Sequence, residues 1–272
     1  MVKELTDYLR NAQRILVFTG AGISTGSGIP DFRGPGGVWT RRKPVYFQDF
    51  MTSEAARIEH WDYKLEGWEE FRGARPNAAH LAITRLQDAG KLLLLVTQNI
   101  DGLHSLAGIA PERLVELHGT NLWVECVRCH RRSDPEPHFE YFRAQRKAPL
   151  CECGGFLKQA TISFGQSLDP QELKRAEEGA LEADLVVALG STLSVYPAAA
   201  FPLLAAERGV PPSSSTAAKR NMTAMRAFPC ASRLMWSKYS RAQSKLRSRE
   251  LCHVARSEPQ SRHRVLFRFA AG

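Results

Sequence analysis

Two cysteine pairs, Cys126-Val127-Arg128-Cys129 and Cys151-Glu152-Cys153, stand 21 residues apart in a chain of 272. Thiolates spaced as knuckles bind a tetrahedral metal, and four protein ligands leave no open coordination position. One structural zinc ion held by Cys126, Cys129, Cys151 and Cys153 is therefore expected. The second knuckle is the tighter C-x-C form, and Gly154-Gly155 after it suit a sharp turn. Buried thiols or disulfides are the competing reading, and six cysteines in an intracellular chain argue against disulfides. Cys230 and Cys252 have no partner motif.

A second group of chemistry-bearing residues follows short apolar runs. GAGISTGSGIPDFRG, residues 20–34, comes directly after Ile15–Phe18, and TQNIDGLH, residues 97–104, overlaps the end of a run from Leu92. Gly190-Ser191-Thr192-Leu193-Ser194 follows Leu185–Leu189. Glycines after a strand let backbone N–H groups meet a phosphate at a helix N-terminus. The spacing departs from G-x-G-x-x-G, however, because Thr25 stands in the third slot and no acidic residue ends a second strand at the usual distance. Glycine spacing alone leaves both a nucleotide loop and a tight turn open. The convergence of amides, hydroxyls, carboxylates and glycines at three strand ends favours a polar small-molecule site. His118-Gly119 follows the apolar-patterned Leu114–Leu117. If that loop reaches the same edge, the imidazole can serve as a general base.

The elements that must position these groups read as an α/β alternation. Ile15–Phe18, Leu92–Val96 and Leu185–Leu189 have the length and continuity of parallel strands buried on both faces. Helical stretches are expected at Glu4–Gln13, Asn77–Ala89 and Pro170–Glu182, the last with Leu173, Ala176 and Ala180 at helical spacing. The fold class is α/β, a doubly wound, Rossmann-like parallel sheet with a small zinc-binding domain inserted. The expected domains are 1–119 with 160–210 for the sheet and 120–159 for the zinc-binding unit. An insertion at 38–73 carries eight aromatics and reads as a satellite core before a binding groove. The length suits one large domain with one small one.

The net charge of +9 is unevenly spread. Residues 212–272 hold 13 Lys and Arg against Glu250 and Glu258, whereas the preceding body is close to neutral. A basic surface can meet nucleic acid or anionic lipid. The reading taken here is a solvated tail of biased composition, with no nucleic-acid partner. No stretch reads as a signal peptide or membrane span, so a soluble, cytoplasmic protein with no membrane partner is expected.

Together these motifs resemble the sirtuins, the NAD-dependent protein deacylases. GAGISTGSGIPDFRG, TQNIDGLH, HG at 118–119, the four cysteines, ISFG at 162–165 and GSTLSVYPAA at 190–199 occur in the family's order and spacing. The resemblance covers about residues 1–210. It implies that Gly20, Ala21, Gly22 and Ile23 lie along the NAD diphosphate and ribose. It implies a lid over the nicotinamide ribose from Asp31, Phe32 and Arg33. Gln98, Asn99, Ile100 and Asp101 match the nicotinamide pocket, and Asn99 and Asp101 are expected to orient the ribose and a water. His118 matches the general base. Ile162, Phe164 and Gly165 match the segment that clamps the acyl-lysine peptide, and Gly190, Ser191 and Ser194 match residues near the adenosine half. The implied partners are NAD and an acylated-lysine protein or peptide. The implied products are free lysine, nicotinamide and acyl-ADP-ribose.

Family members that prefer acidic acyl groups carry a Tyr-x-x-Arg pair in the aromatic insertion. None occurs in 38–73, where Tyr63 is followed three residues on by Glu66, so an uncharged acyl group is expected. The chain also leaves the family pattern after Val210. Pro211-Pro212 and a Ser-rich basic segment stand where another buried strand and an adenine-ribose Asn would come. No later run resembles a parallel strand, so 211–272 is expected to pack poorly, as an altered C-terminus would. The alternatives carried are a mono-ADP-ribosyltransferase using the same cofactor, and a non-enzymatic, zinc-stabilised NAD-binding module with a basic tail.

Overall fold

The structure is a computed structural model, and it describes residues 2–32, 37–40, 42–207 and 264–268. Its centre is β1, Ile15–Thr19, all five residues of which are buried. β1 pairs in parallel with β2, Leu92–Thr97, on one side and with β7, Leu185–Leu189, on the other. β3, Leu114–Glu116, extends the sheet beyond β2. Residues alternate between the two faces of each strand. Leu16 and Phe18 therefore join one core with Leu173, Ala176 and Ala180 of α8, Pro170–Glu182, and Phe201 of α9, Ala200–Glu207. Ile15 and Val17 join the other, with Ile83 of α5, Ala78–Asp88, and the flank of α1, Val2–Asn11. A sheet covered on both faces by helices is the doubly wound arrangement, and it explains why these strands read as unbroken apolar runs.

The chain departs from the sequence expectation at its far end. Arg264–Arg268 forms a fifth strand, β8, paired in parallel with β7 from Leu185↔Arg264 to Leu189↔Arg268. The sheet order is β3-β2-β1-β7-β8. Val265-Leu266-Phe267 is too short an apolar run, among too many arginines, to stand out as a buried strand. The remainder of the expected Ser-rich tail lies outside the described residues.

A second, antiparallel sheet has the order β5-β4-β6, built from Arg132–Ser133, Gly119–Cys126 and Leu157–Thr161. α7, Pro135–Gln145, packs on it, and Val124, Phe139, Phe142 and Leu157 form its core. The aromatic insertion folds as α2, Phe47–Thr52, α3, Glu54–Glu66, and α4, Trp68–Gly73. Its Trp61 is fully buried in the small sheet's core and donates its indole N–H to the Leu157 carbonyl at 3.1 Å. The insertion thus packs largely onto the small sheet's core rather than making one of its own. Trp39 and Tyr63 of the same stretch line a cavity instead.

Candidate active site

Parallel register sets the site. Thr19 lies opposite both Thr97 and Leu189, and Thr97 opposite Glu116, so the chain leaves four strands at one level of one edge. The segments after β1, β2, β3 and β7 line a cavity of about 560 Å³ there, a volume suited to a small-molecule ligand. Of the residues singled out in the sequence, Gly20, Ala21, Gly22, Asp31, Phe32, Gln98, Asn99, Ile100, His118, Ile162, Phe164, Gly165, Gly190, Ser191 and Ser194 all line it. Ile23 does not; it is buried in the core beside Ile83. Asp101 is buried behind the wall, and Arg33 lies outside the described residues.

The glycines serve loop-on-loop contact. Gly22 N–H donates to the Gly190 carbonyl at 2.9 Å, and Gly20 N–H to the Leu189 carbonyl at 3.0 Å. Gly190 has φ +62°, and a Cβ on it would sit 2.2 Å from the Ile23 nitrogen. A Cβ on Gly20 would come within 2.8 Å of the Gly190 oxygen. Any side chain would drive the two loops apart. The loop after β1 is also held from outside. Asn77, the N-cap of α5, donates to the Ile23 carbonyl at 2.8 Å and to Ser27 Oγ at 3.0 Å.

Beneath the loops the polar groups form a fixed network. Ser24 Oγ donates to Asp101 Oδ2 at 2.6 Å and accepts from Asn99 Nδ2 at 3.1 Å, while Asp101 Oδ1 accepts the Leu103 N–H. Asp101 therefore orients the Asn99 amide through Ser24. Asn99 Oδ1 is buried with no hydrogen-bond partner in the described protein, an arrangement that costs free energy unless a ligand donor meets it. Gln98 Nε2 donates to Ser191 Oγ at 2.9 Å and ties the β2 and β7 loops together.

His118 Nδ1 lies 3.0 Å from the Gln98 carbonyl oxygen. A carbonyl only accepts, so Nδ1 carries a proton, which makes Nε2 the basic nitrogen of the neutral ring that a general base needs. His104 cannot share that work. Burial and then the neighbouring His80 bring it down to about 3, and its Nε2 is engaged with Thr19 Oγ1 at 2.9 Å. Beside His118, the Ile162 N–H donates to the His118 carbonyl and Phe47 N–H to the Phe164 carbonyl. Phe32 stacks on Trp39 at 5.4 Å, and Trp39 meets Tyr63 and Phe164, giving an aromatic wall.

The four cysteines also converge. Their sulfurs lie within 4.8 Å of one another, with Cys126–Cys153 at 3.5 Å and Cys129–Cys151 at 3.7 Å. Disulfides need about 2 Å, whereas a tetrahedron of metal–sulfur bonds near 2.3 Å has edges of about 3.8 Å. The cluster fits a structural zinc ion. Gly155 is required beside it, since a Cβ there would lie 2.6 Å from Cys126 Sγ.

Residues 20–197 match the model of the Sir2 family. The chain belongs to that family. Among its relatives, an NAD-dependent protein deacetylase of Rhodopseudomonas palustris is 44% identical over 209 residues, covering 76% of this chain and 83% of that protein. NAD-dependent protein deacetylase 1 of Bradyrhizobium diazoefficiens is also 44% identical, with 76% and 82% covered. Two Sir2 structures superpose over 76% of this chain and 82% of theirs. One, with deacetylated p53 peptide and 3'-O-acetyl ADP-ribose, has a TM-score of 0.70 and 36% identity. The other, a Sir2–p53 peptide–NAD+ complex, has 0.69 and 34%. The matched residues 20–197 contain the whole small sheet and β2, β3 and β7 of the large one. Sequence reasoning missed Ser24 and Asn77, which fix the loop after β1. Ser24 lies inside the glycine motif without a distinctive spacing.

Proposed function

We propose that this protein is an NAD-dependent protein-lysine deacylase that moves an acyl group from a substrate lysine to ADP-ribose and releases nicotinamide. The observation that carries the reading is one cavity lined both by His118, whose Nδ1 donates to the Gln98 carbonyl, and by Asn99, whose buried Oδ1 has no partner among the described residues. The residues fit NAD. The loops of Gly20–Gly22 and Gly190–Ser194 would hold its diphosphate and adenosine side, and Gln98, Asn99 and Ile100 its nicotinamide ribose. Bound NAD supplies an electrophilic ribose carbon with nicotinamide as its leaving group.

The protein's own groups then have defined tasks. Asn99 Oδ1 accepts a hydrogen bond from the ligand and fixes its orientation, with Asp101 as a positioning residue acting through Ser24. His118 Nε2 takes a proton from a ribose hydroxyl. Phe32 on Trp39 keeps bulk water off the reacting carbon. Ile162, Phe164 and Gly165 receive the substrate backbone beside His118. Cys126, Cys129, Cys151 and Cys153 hold zinc for structure alone. The division into 1–119 with 160–210 and a 120–159 unit is supported by the core of Val124, Cys126, Phe139, Phe142 and Leu157, into which the aromatic insertion sends Trp61. Among the described residues no helix is long and apolar enough to cross a membrane. A cytoplasmic location is part of the proposal, since a thiolate cluster needs reducing surroundings.

The test is nicotinamide release from NAD with and without an acetyl-lysine peptide. Peptide-dependent release is expected. Peptide-independent labelling of protein would favour ADP-ribosyl transfer, and no release would favour a binding module.

A further inference from the structure

Thr19 and Thr97 are partners on the last rung of the β1–β2 ladder, so two buried hydroxyls meet where the strands end. Their oxygens lie 2.7 Å apart. Thr97 Oγ1 also accepts the Asn99 N–H at 3.0 Å, and the Thr19 carbonyl accepts the Gln98 N–H at 3.0 Å. Asn99 is thus located twice, its side chain through Ser24 and its backbone through Thr97. The chain then doubles back. Gly102, at φ +68°, turns it into α6, Leu103–Leu106, whose first N–H is held by Asp101 Oδ1 at 3.0 Å. The return brings the buried His104 to Thr19, with Nε2 2.9 Å from Oγ1. Residues 97–104 form a loop closed on Thr19 at both ends.

The neighbouring His80 decides where the His104 proton sits. His80 Nδ1 accepts the Asn77 N–H at 3.3 Å, so its own proton is on Nε2. His80 Nε2 and His104 Nδ1 are buried without partners among the described residues, in rings 4.8 Å apart. A proton on His104 Nδ1 would add a second buried, unpaired donor beside the first. A proton on Nε2 avoids this and is donated to Thr19 Oγ1. The Thr19 hydroxyl in turn donates to Thr97 Oγ1. Burial, then His80, brings His104 down to about 3, so the ring is neutral at pH 7.

We infer that His104 is a positioning residue for Asn99. Its Nε2–H aligns the Thr19–Thr97 hydroxyl pair, which fixes the Asn99 backbone and with it the Oδ1 that awaits a donor. The inference rests on the deacylase reading for its claim that Asn99 meets the nicotinamide ribose. Its partners come from three separate stretches of sequence, so the role is written in no single motif.

The experiment has three readouts on the full chain. Nitrogen NMR of histidine-labelled protein without NAD should show His104 neutral and protonated on Nε2. His104→Gln, by losing one set of signals, assigns them. Calorimetry should show NAD binding weakened about tenfold or more in His104→Leu. His104→Gln, whose amide offers Thr19 a donor, should bind nearly as tightly as the parent. The double variant of His104→Leu with Thr97→Val should lose no more than Thr97→Val alone, because both act through one chain of bonds. A His104 proton on Nδ1 overturns the inference, and that readout needs no substitution that could unfold the protein. Parental NAD binding by His104→Leu, equal losses in the Leu and Gln variants, or additive losses in the double variant also overturn it. The third readout is turnover of an acetyl-lysine peptide, where kcat should fall with NAD affinity. If even the parent releases no nicotinamide while NAD binding follows the expected pattern, the positioning role stands and the deacylase reading falls.

Discussion

The hydrogen bond between His118 Nδ1 and the Gln98 carbonyl decides which imidazole nitrogen is basic, and the pairing comes from two strands ending at one level. His118→Ala removes the base without touching the core, so kcat should fall by about 10²–10⁴. Zinc content and melting temperature should hold. Turnover within a few-fold of the parent would remove His118 from the mechanism. Lys64 gives a second residue-scale expectation, this time in stability. Burial, then repulsion from Lys158, brings its folded value down to about 7, below the ordinary lysine value of 10.5. Above 10.5 neither state is protonated and Lys64 costs nothing. As pH falls toward 7 the unfolded chain takes up a proton that the folded one does not, and the stability is lost. Stability measured by denaturant titration should therefore rise from pH 7 to pH 10 more steeply in the parent than in Lys64→Met. Parallel curves would mean that the amine is not desolvated.

At the scale of elements, the site is a matter of loops touching. Gly190→Ala would force a left-handed alanine and press its Cβ onto the Ile23 nitrogen. The backbone term alone costs about 1–2 kcal/mol, and parting the loops should lower kcat/KM for NAD by more than tenfold. A variant with parental kinetics would show that the loop contact is dispensable. For the cysteine cluster, metal analysis should return one zinc per chain, and Cys126→Ser should unfold the small sheet before it alters chemistry. Folded, active, metal-free protein would contradict this. These elements were unequally legible in the sequence. β1, β2 and β7 could be read because strands covered on both faces must be apolar throughout, and the Pro170–Glu182 helix because Leu173, Ala176 and Ala180 recur at helical spacing. Ser24 and Asn77 could not, since their partners, Asp101 and the Ile23 carbonyl, are 77 and 54 residues away.

At the scale of the molecule, the site lies where the doubly wound sheet, the small sheet and the aromatic insertion meet. α3 supplies Trp61 to the small sheet's core and Tyr63 and Lys64 to the cavity. β8 shows the limit of composition as a guide. Arginine-flanked Val265–Phe267 looks like tail, yet its backbone completes the sheet beside β7, because a strand's place depends on an open neighbouring edge as well as on its own residues. In the proposed reaction one cavity couples NAD cleavage to removal of an acyl group from lysine. The direct measurement is stoichiometry, with nicotinamide, deacylated peptide and acyl-ADP-ribose quantified from one reaction by mass spectrometry. Equal amounts of all three are expected, none formed without NAD or without acyl-lysine. Deacylated peptide with free carboxylic acid and no loss of NAD, or nicotinamide release without deacylation, would contradict it.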